Sequence, residues 1–397
     1  MVILQKILTG GKVDAVDFEE TFKFILTDKL LYVDAGINNS DSTHRFIFDT
    51  YAVNLARQDL ISRLNLDVTK LTGPFAKQLE GSMLAPTMVT FERIRLGNLQ
   101  FQGYGGFAIR EDQTHDILDY LEDGIIGANL MNKFIWQINF RDSTIKVTDT
   151  LARCDFIEGA VVLPFKPHSL QQSPDIQVLV NSEETLNLQF DTGSNSVLKF
   201  NTDKLDSYIK PGRYAKRTSV PSLNMGEEQT EPLGSHLIKL DSIQIGSQVF
   251  HDLPVEIYEV EEKELIGRGQ LGNGFMRHFI VTVDWLNNKI YLFPRPESPL
   301  ETQKRSFGLS IGWKDEAVRI ISFYEDSEAA KLSLKIGDRV LSVNGKDMTN
   351  LSKEKIRLYI QGYEKFIDDK DKKVQLKIDS GGSIRTITLR SYDLFRK

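Results

Sequence analysis

The chain has 397 residues and a net charge of −6, with a globular composition that shows neither disorder bias nor a long apolar run. That length gives room for two or three domains, each with its own core. No stretch of about 18 apolar residues implies a membrane span, and the acidic balance argues against nucleic acid as the principal partner. Charge is uneven: residues 301–397 carry 20 Lys+Arg against 15 Asp+Glu, a net of +5, and the rest carries 29 against 40, a net of −11. A domain boundary near residue 300 fits this shift. Cys154 is the single cysteine, so no internal disulfide can form and the redox compartment stays open. Met1–Leu8 is too short, and lacks the cleavage pattern, for a secretory signal.

In chain order, residues 1–28 read as a strand and turn. Leu30–Gly36 and Arg45–Thr50 are two β-type runs around a polar Asn-Asn-Ser-Asp-Ser turn. A helix is predicted over Ala56–Leu64, then mostly strands and turns to about residue 123. From Gly124 the text reads Gly-Ile-Ile-Gly-Ala-Asn-Leu-Met-Asn-Lys-Phe-Ile, and from Gly269 it reads Gly-Gln-Leu-Gly-Asn-Gly-Phe-Met-Arg-His-Phe-Ile. Gly127 matches Gly272, Ile126 matches Leu271, and Met131 matches Met276; each segment runs on into a further apolar strand. Offsets stay near 145 residues, which marks an internal duplication.

The stretch Leu188-Gln-Phe-Asp-Thr-Gly-Ser194 ends an apolar strand in a tight turn that presents a carboxylate, Asp191. Duplication requires a counterpart, and Phe48-Asp49-Thr50 supplies it. Asp49 lies 78 residues before Gly127, and Asp191 lies 81 before Gly272. The matched spacing predicts two similar β-rich lobes, each delivering one Asp to their interface. Asp34-Ala35-Gly36 lies ahead of Asp49, where a hairpin strand belongs, and is set aside.

Phe-Asp-Thr-Gly-Ser at matched spacing resembles the active-site signature of the aspartic proteases. The resemblance covers roughly residues 20–296, and the stretch Asp59–Leu66 is more similar to the retroviral-type bacterial members than to pepsin. It implies a mainly β, bilobal pair of barrels with pseudo-two-fold symmetry, lobes at 1–152 and 153–298, and Asp49 and Asp191 as the dyad. Two such carboxylates share one proton, because like charges about 3 Å apart do not both ionise. The resemblance further implies that Thr50 and Thr192 hydrogen-bond across the interface, and that Gly193 and Ser194 support their own Asp. Tyr51, Ile126, Gly127, Leu271 and Gly272 would form the wall. The substrate would be an extended polypeptide beneath hairpin covers at Leu79–Val89 and Pro221–Leu237, with Met83, Leu84 and Met88 as contacts or as packing within the hairpin. No cofactor or metal is implied. The first lobe departs from the pattern, since Tyr51 stands where the family has Gly.

Past the Pro294–Pro299 linker, Gly337-Asp-Arg-Val-Leu-Ser-Val-Asn-Gly345 and a helix carrying Ile356, Tyr359, Ile360 and Tyr363 open a different pattern. Residues 305–393 resemble a small α+β PDZ domain of the bacterial protease-associated type. The resemblance implies peptide binding by Ser306, Phe307, Gly308, Leu309, Ile311 and Ile356, with loop N–H groups taking a C-terminal carboxylate. Ser306 replaces the usual Gly.

Other patterns carry less. Gly267–Gly272 spells a dinucleotide fingerprint without the βαβ unit it needs. The six histidines lack ligand spacing, and no Gly-x-Ser-x-Gly elbow is present. The reading is therefore an aspartic-type endopeptidase with a PDZ module for recruiting peptides. The alternatives are a catalytically impaired homologue that binds peptide without cutting it, because of Tyr51, and a scaffold acting through residues 305–392. Both Asp residues lie on one chain, so a monomer suffices, and the bacterial resemblance implies an extracytoplasmic location.

Overall fold

Alternation sets the first strands: in Glu19–Leu26, Phe22 and Phe24 are buried while Thr21 and Lys23 face solvent. The computed structural model describes residues 9–79, 84–110, 116–169, 171–218 and 235–395. Strands dominate the first three-quarters of the chain, and a small α+β domain ends it. Among the described residues no helix is long and apolar enough to cross a membrane.

Six strands make a sheet shared by the two halves, in the order Val161–Pro164, Lys289–Pro294, Phe279–Asp284, Ile135–Asn139, Thr144–Thr148, Glu19–Leu26. Three come from each half. They meet antiparallel, with Trp136 opposite Val283, Gln137 opposite Thr282 and Ile138 opposite Val281. Gln137 Nε2 donates to Thr282 Oγ1 at 2.8 Å across that seam. Trp136, Ile138, Val281 and Val283 belong to the main core, which runs continuously through both halves.

Each half then repeats one arrangement. Thr43–Asp49 pairs parallel with Gly124–Gly127, placing Asp49 opposite Gly127. Glu184–Asp191 pairs parallel with Arg268–Gly272, placing Asp191 opposite Gly272. The chain after each Asp returns antiparallel on the same partner, through Leu55–Ala56 and through Leu198–Thr202. Backbone bonds match as well: Ala128 N donates to Ala52 O, and Asn273 N to Ser194 O, both at 2.7 Å. Gly is required opposite each loop. A Cβ on Gly127 would meet Ala52 O at 2.4 Å, and one on Gly272 would meet Ser194 O at 2.6 Å. The predicted helix begins later than the sequence suggested, at Gln58, because Leu55–Ala56 is taken up as a strand.

The C-terminal domain consists of Leu309–Lys314, Ala317–Tyr324, Arg339–Val343, Lys373–Ser380 and Ser383–Arg390, with helices Glu328–Lys331 and Lys353–Ile360. Both helices start on a serine whose hydroxyl accepts a backbone N–H: Ser327 Oγ from Ala330 N at 3.0 Å and Ser352 Oγ from Lys355 N at 3.1 Å. Its own core centres on Val318, Ile320, Val340, Val374, Leu376 and Ile378. Tyr363 lies beyond the helix end.

This domain is docked on both halves. Its strand Ala317–Tyr324 adds to Tyr214–Thr218 of the second half, with Arg217 opposite Tyr324 and Thr218 opposite Phe323. Leu237, Tyr324, Leu394 and Phe395 seal that junction. On the first half, Tyr363 stacks on Tyr32 with ring centroids 6.0 Å apart and receives a hydrogen bond from Arg45 Nη1 at 3.2 Å. Asp28 N donates to Gly362 O at 3.1 Å, and Lys365 pairs with Asp28 at 2.9 Å.

Candidate active site

Both Asp strands end at the interface between the halves, and the two carboxyl groups come together over Gly193, where a Cβ would lie 2.2 Å from Asp49 Oδ2 and 3.1 Å from Asp191 Oδ1. Each is buried, Asp49 to 3% exposure and Asp191 to 7%. Backbone N–H groups aim them. Asp49 Oδ1 accepts from Tyr51 N at 2.7 Å and from Ala52 N at 2.9 Å. Asp191 Oδ1 accepts from Gly193 N at 2.7 Å. The Tyr51 and Gly193 N–H groups are thus pseudo-symmetric equivalents.

The threonines lock the loops reciprocally. Thr50 Oγ1 donates to Phe190 O and Thr192 Oγ1 to Phe48 O, each at 2.7 Å. In return Thr192 N donates to Thr50 Oγ1 and Thr50 N to Thr192 Oγ1, each at 3.0 Å. All four bonds are buried, so the position of each loop is fixed by the other half.

Electrostatics separates the two acids. Burial raises the Asp49 carboxyl, and the Ala52 and Tyr51 N–H groups and the bond to Asp191 pull it partly back. Burial and the charge of Asp49 push Asp191 well above the ordinary carboxylate value, with the Gly193 N–H and Lys199 opposing. Asp49 accepts two backbone N–H groups and Asp191 one, and the pair holds one proton between them and titrates as a unit.

Tyr51 does not cover the dyad. Its phenol donates to Asp175 Oδ1 of the second half at 2.8 Å, and its carbonyl accepts from Gln171 Nε2 at 2.6 Å. The ring lines a cavity of about 1030 Å³ together with His168, Asp175, Gln177, Asn187 and Gln189 of the second half, and neither Asp is in that lining. Burial and the Asp175 carboxylate raise the phenol above its ordinary value, so it remains a donor.

Two assignments need correcting, and for Met88 the packing reading is the one that fits. Ile126 and Leu271 are each 1% exposed and sit in the core, while Gly127 and Gly272 press on the backs of the Asp loops. The Ser194 hydroxyl bonds to Ser196 Oγ at 2.9 Å rather than to Asp191. Met88 is 1% exposed and packs in a core cluster with Phe107 and Ile125. Met83 and residues 221–234 of the supposed hairpin covers lie outside the described residues. Sequence reading missed Asn54 and Asn129. Asn54 Oδ1 accepts from Gly127 N at 2.8 Å, and Asn129 Oδ1 accepts from Asn54 N at 2.7 Å. Two buried asparagines after an Asp loop were the available signal.

In the C-terminal domain Phe307, Gly308 and Leu309 are buried, and Ser306, Ile311 and Ile356 are partly so. Gly308 has φ +85°, and a Cβ there would meet Ser327 Cβ at 2.5 Å, which explains the glycine. The Gly308 N–H is held by Ser306 Oγ at 2.9 Å. The strand Leu309–Lys314 pairs with Ala317–Tyr324 along one edge; no second partner strand is found for it among the described residues.

The PDZ domain family matches residues 298–379. No curated protein matches the chain. Among solved structures, the aspartic proteinase from Irpex lacteus is similar with a TM-score of 0.44 at 14% identity, over 70% of this chain and 98% of that one. The duplicated strand order, parallel Asp strands and shared six-stranded sheet described above make a mainly β, two-lobed fold. To it is joined a PDZ domain, whose last strands continue beyond the matched region to Tyr392–Asp393.

Proposed function

We propose that this chain is an aspartic-type endopeptidase acting on extended polypeptides. The observation that carries the reading is the pair of buried carboxylates brought together over Gly193 and held by reciprocal threonine bonds. Ionised Asp49 takes a proton from a water lodged between the acids, and the water oxygen attacks the scissile carbonyl carbon. Asp191 gives its proton to the carbonyl oxygen, so a neutral gem-diol forms. As the C–N bond breaks, Asp49 passes its proton to the amide nitrogen and Asp191 recovers one from a diol hydroxyl.

The Tyr51 phenol is engaged by Asp175 and its N–H still aims Asp49, which favours cleavage over mere binding. The PDZ domain then presents polypeptide to the cleft, with peptide adding as a strand beside Leu309–Lys314. Hydrolysis of an unfolded protein substrate at acidic pH is expected to fall by about 10²–10⁴-fold in Asp191→Asn. Cleavage that persists unchanged in that variant removes the proposal.

A further inference from the structure

One face of the second half carries a row of ionisable side chains that peptide hydrolysis by the dyad does not use. In the strand Leu198–Thr202, Leu198 and Phe200 turn into the core, so Lys199 turns to the opposite face. Strand register places Lys199 beside Gln270, and Gln270 beside Gln189. Asp191 lies two residues beyond Gln189, on the same face. On its other side Lys199 is in register with Glu256. Glu256 accepts a hydrogen bond from Tyr258 at 3.1 Å and pairs with Arg217 Nη2 at 3.7 Å. Arg217 stands opposite Tyr324 of the PDZ domain in strand register.

Strand register thus sets these side chains along one face in the order Asp191, Lys199, Glu256, Arg217, Tyr324, with an ion pair within 4 Å between Arg217 and Glu256. Lys199 is faced by Asp191 and Glu256, with Asp49 behind Asp191; its other neighbours on the face, Gln189 and Gln270, are neutral. Glu256 is faced in turn by Lys199, Arg217, Tyr258 and Tyr324. An ammonium so enclosed is retained only where carboxylates compensate its lost hydration, and here one of the two is a member of the dyad. Burial draws the Lys199 ammonium below its ordinary value while Asp191 and Glu256 hold it up, and Lys199 in turn opposes the upward push on Asp191.

We infer that Lys199 is a positioning residue that sets the charge state of the Asp49–Asp191 pair, and that the PDZ domain steadies it through Arg217 and Tyr324. The inference rests on the reading of that pair as the catalytic dyad.

The test uses the full chain with Lys199→Met, Lys199→Arg and Tyr324→Phe. In Lys199→Met the whole pH profile of kcat/KM moves to higher pH, so that activity on the acid limb falls about tenfold; Lys199→Arg restores the profile. Tyr324→Phe moves it in the same direction by less. A Lys199→Met profile lowered equally at every pH, with its shape kept, shows Lys199 to be structural and overturns the inference. An unchanged Tyr324→Phe profile overturns the PDZ part. Thermal unfolding between pH 3 and 7 reads the same residue without substrate. The pH-dependent fall in Tm extends to higher pH in Lys199→Met, and an unaltered Tm profile again overturns the inference. If the wild-type protein cleaves nothing while the Tm profile shifts as stated, the dyad's catalytic reading fails and the electrostatic role of Lys199 stands.

Discussion

Position two after each Asp shows how the halves diverged. A Cβ on Gly193 would lie 2.2 Å from Asp49 Oδ2, so glycine is obligatory there. The first half carries a side chain at the equivalent position, Tyr51, which runs on to Asp175. Gly193→Ala is expected to cost about 1–3 kcal/mol in urea unfolding and to lose most activity through the displaced Asp49. The acids themselves give a pH signature. Both carboxyls are raised in the folded state, so the stability they contribute is fully present below the ordinary value of 3.8 and is lost as pH rises through the pair's own higher range. Asp191→Asn removes that loss: it should melt above wild type at pH 7, and the advantage should vanish near pH 3. Asp49 and Asp191 were legible in the sequence because their spacing to Gly127 and Gly272 repeats. The course of Tyr51 was not legible, since its partner Asp175 lies 124 residues away and belongs to the other half.

Among the elements, the two Asp loops depend on each other more than on their own strands. Removing the Thr192 hydroxyl leaves Phe48 O and Thr50 N buried without partners. Thr192→Ala should therefore cost about 2–4 kcal/mol in denaturant unfolding, beyond the usual loss of one hydrogen bond, while Thr192→Ser retains most of it. Alternation and turn residues revealed most strands. They did not reveal that Ile126 points inward, because the four-residue run Gly124–Gly127 is buried throughout and has no polar face to betray its orientation. The early start predicted for the helix has a similar origin: Ala56 suits a helix locally, but its backbone is claimed by pairing with Gly124.

For the whole molecule, the shift in charge near residue 300 disclosed a third domain but not where it sits. Its docking comes from strand addition at Arg217–Thr218 and from the Tyr32–Tyr363 stack, contacts between residues more than a hundred positions apart that no local pattern encodes. Tyr363→Ala loses the stack and the Arg45 bond, and is expected to lower stability by about 1–3 kcal/mol. Limited proteolysis should then cut near the Pro294–Pro299 connection, where the wild-type chain resists.

The shared sheet joins Ile135–Asn139 to Phe279–Asp284 by main-chain bonds along its middle. Each half alone would expose that middle strand as a bare, apolar edge whose natural complement is a strand of nearly the same construction. Halves expressed as separate polypeptides should consequently find one another and rebuild a whole molecule by fragment complementation. Either one kept by itself should pair with its own kind or precipitate.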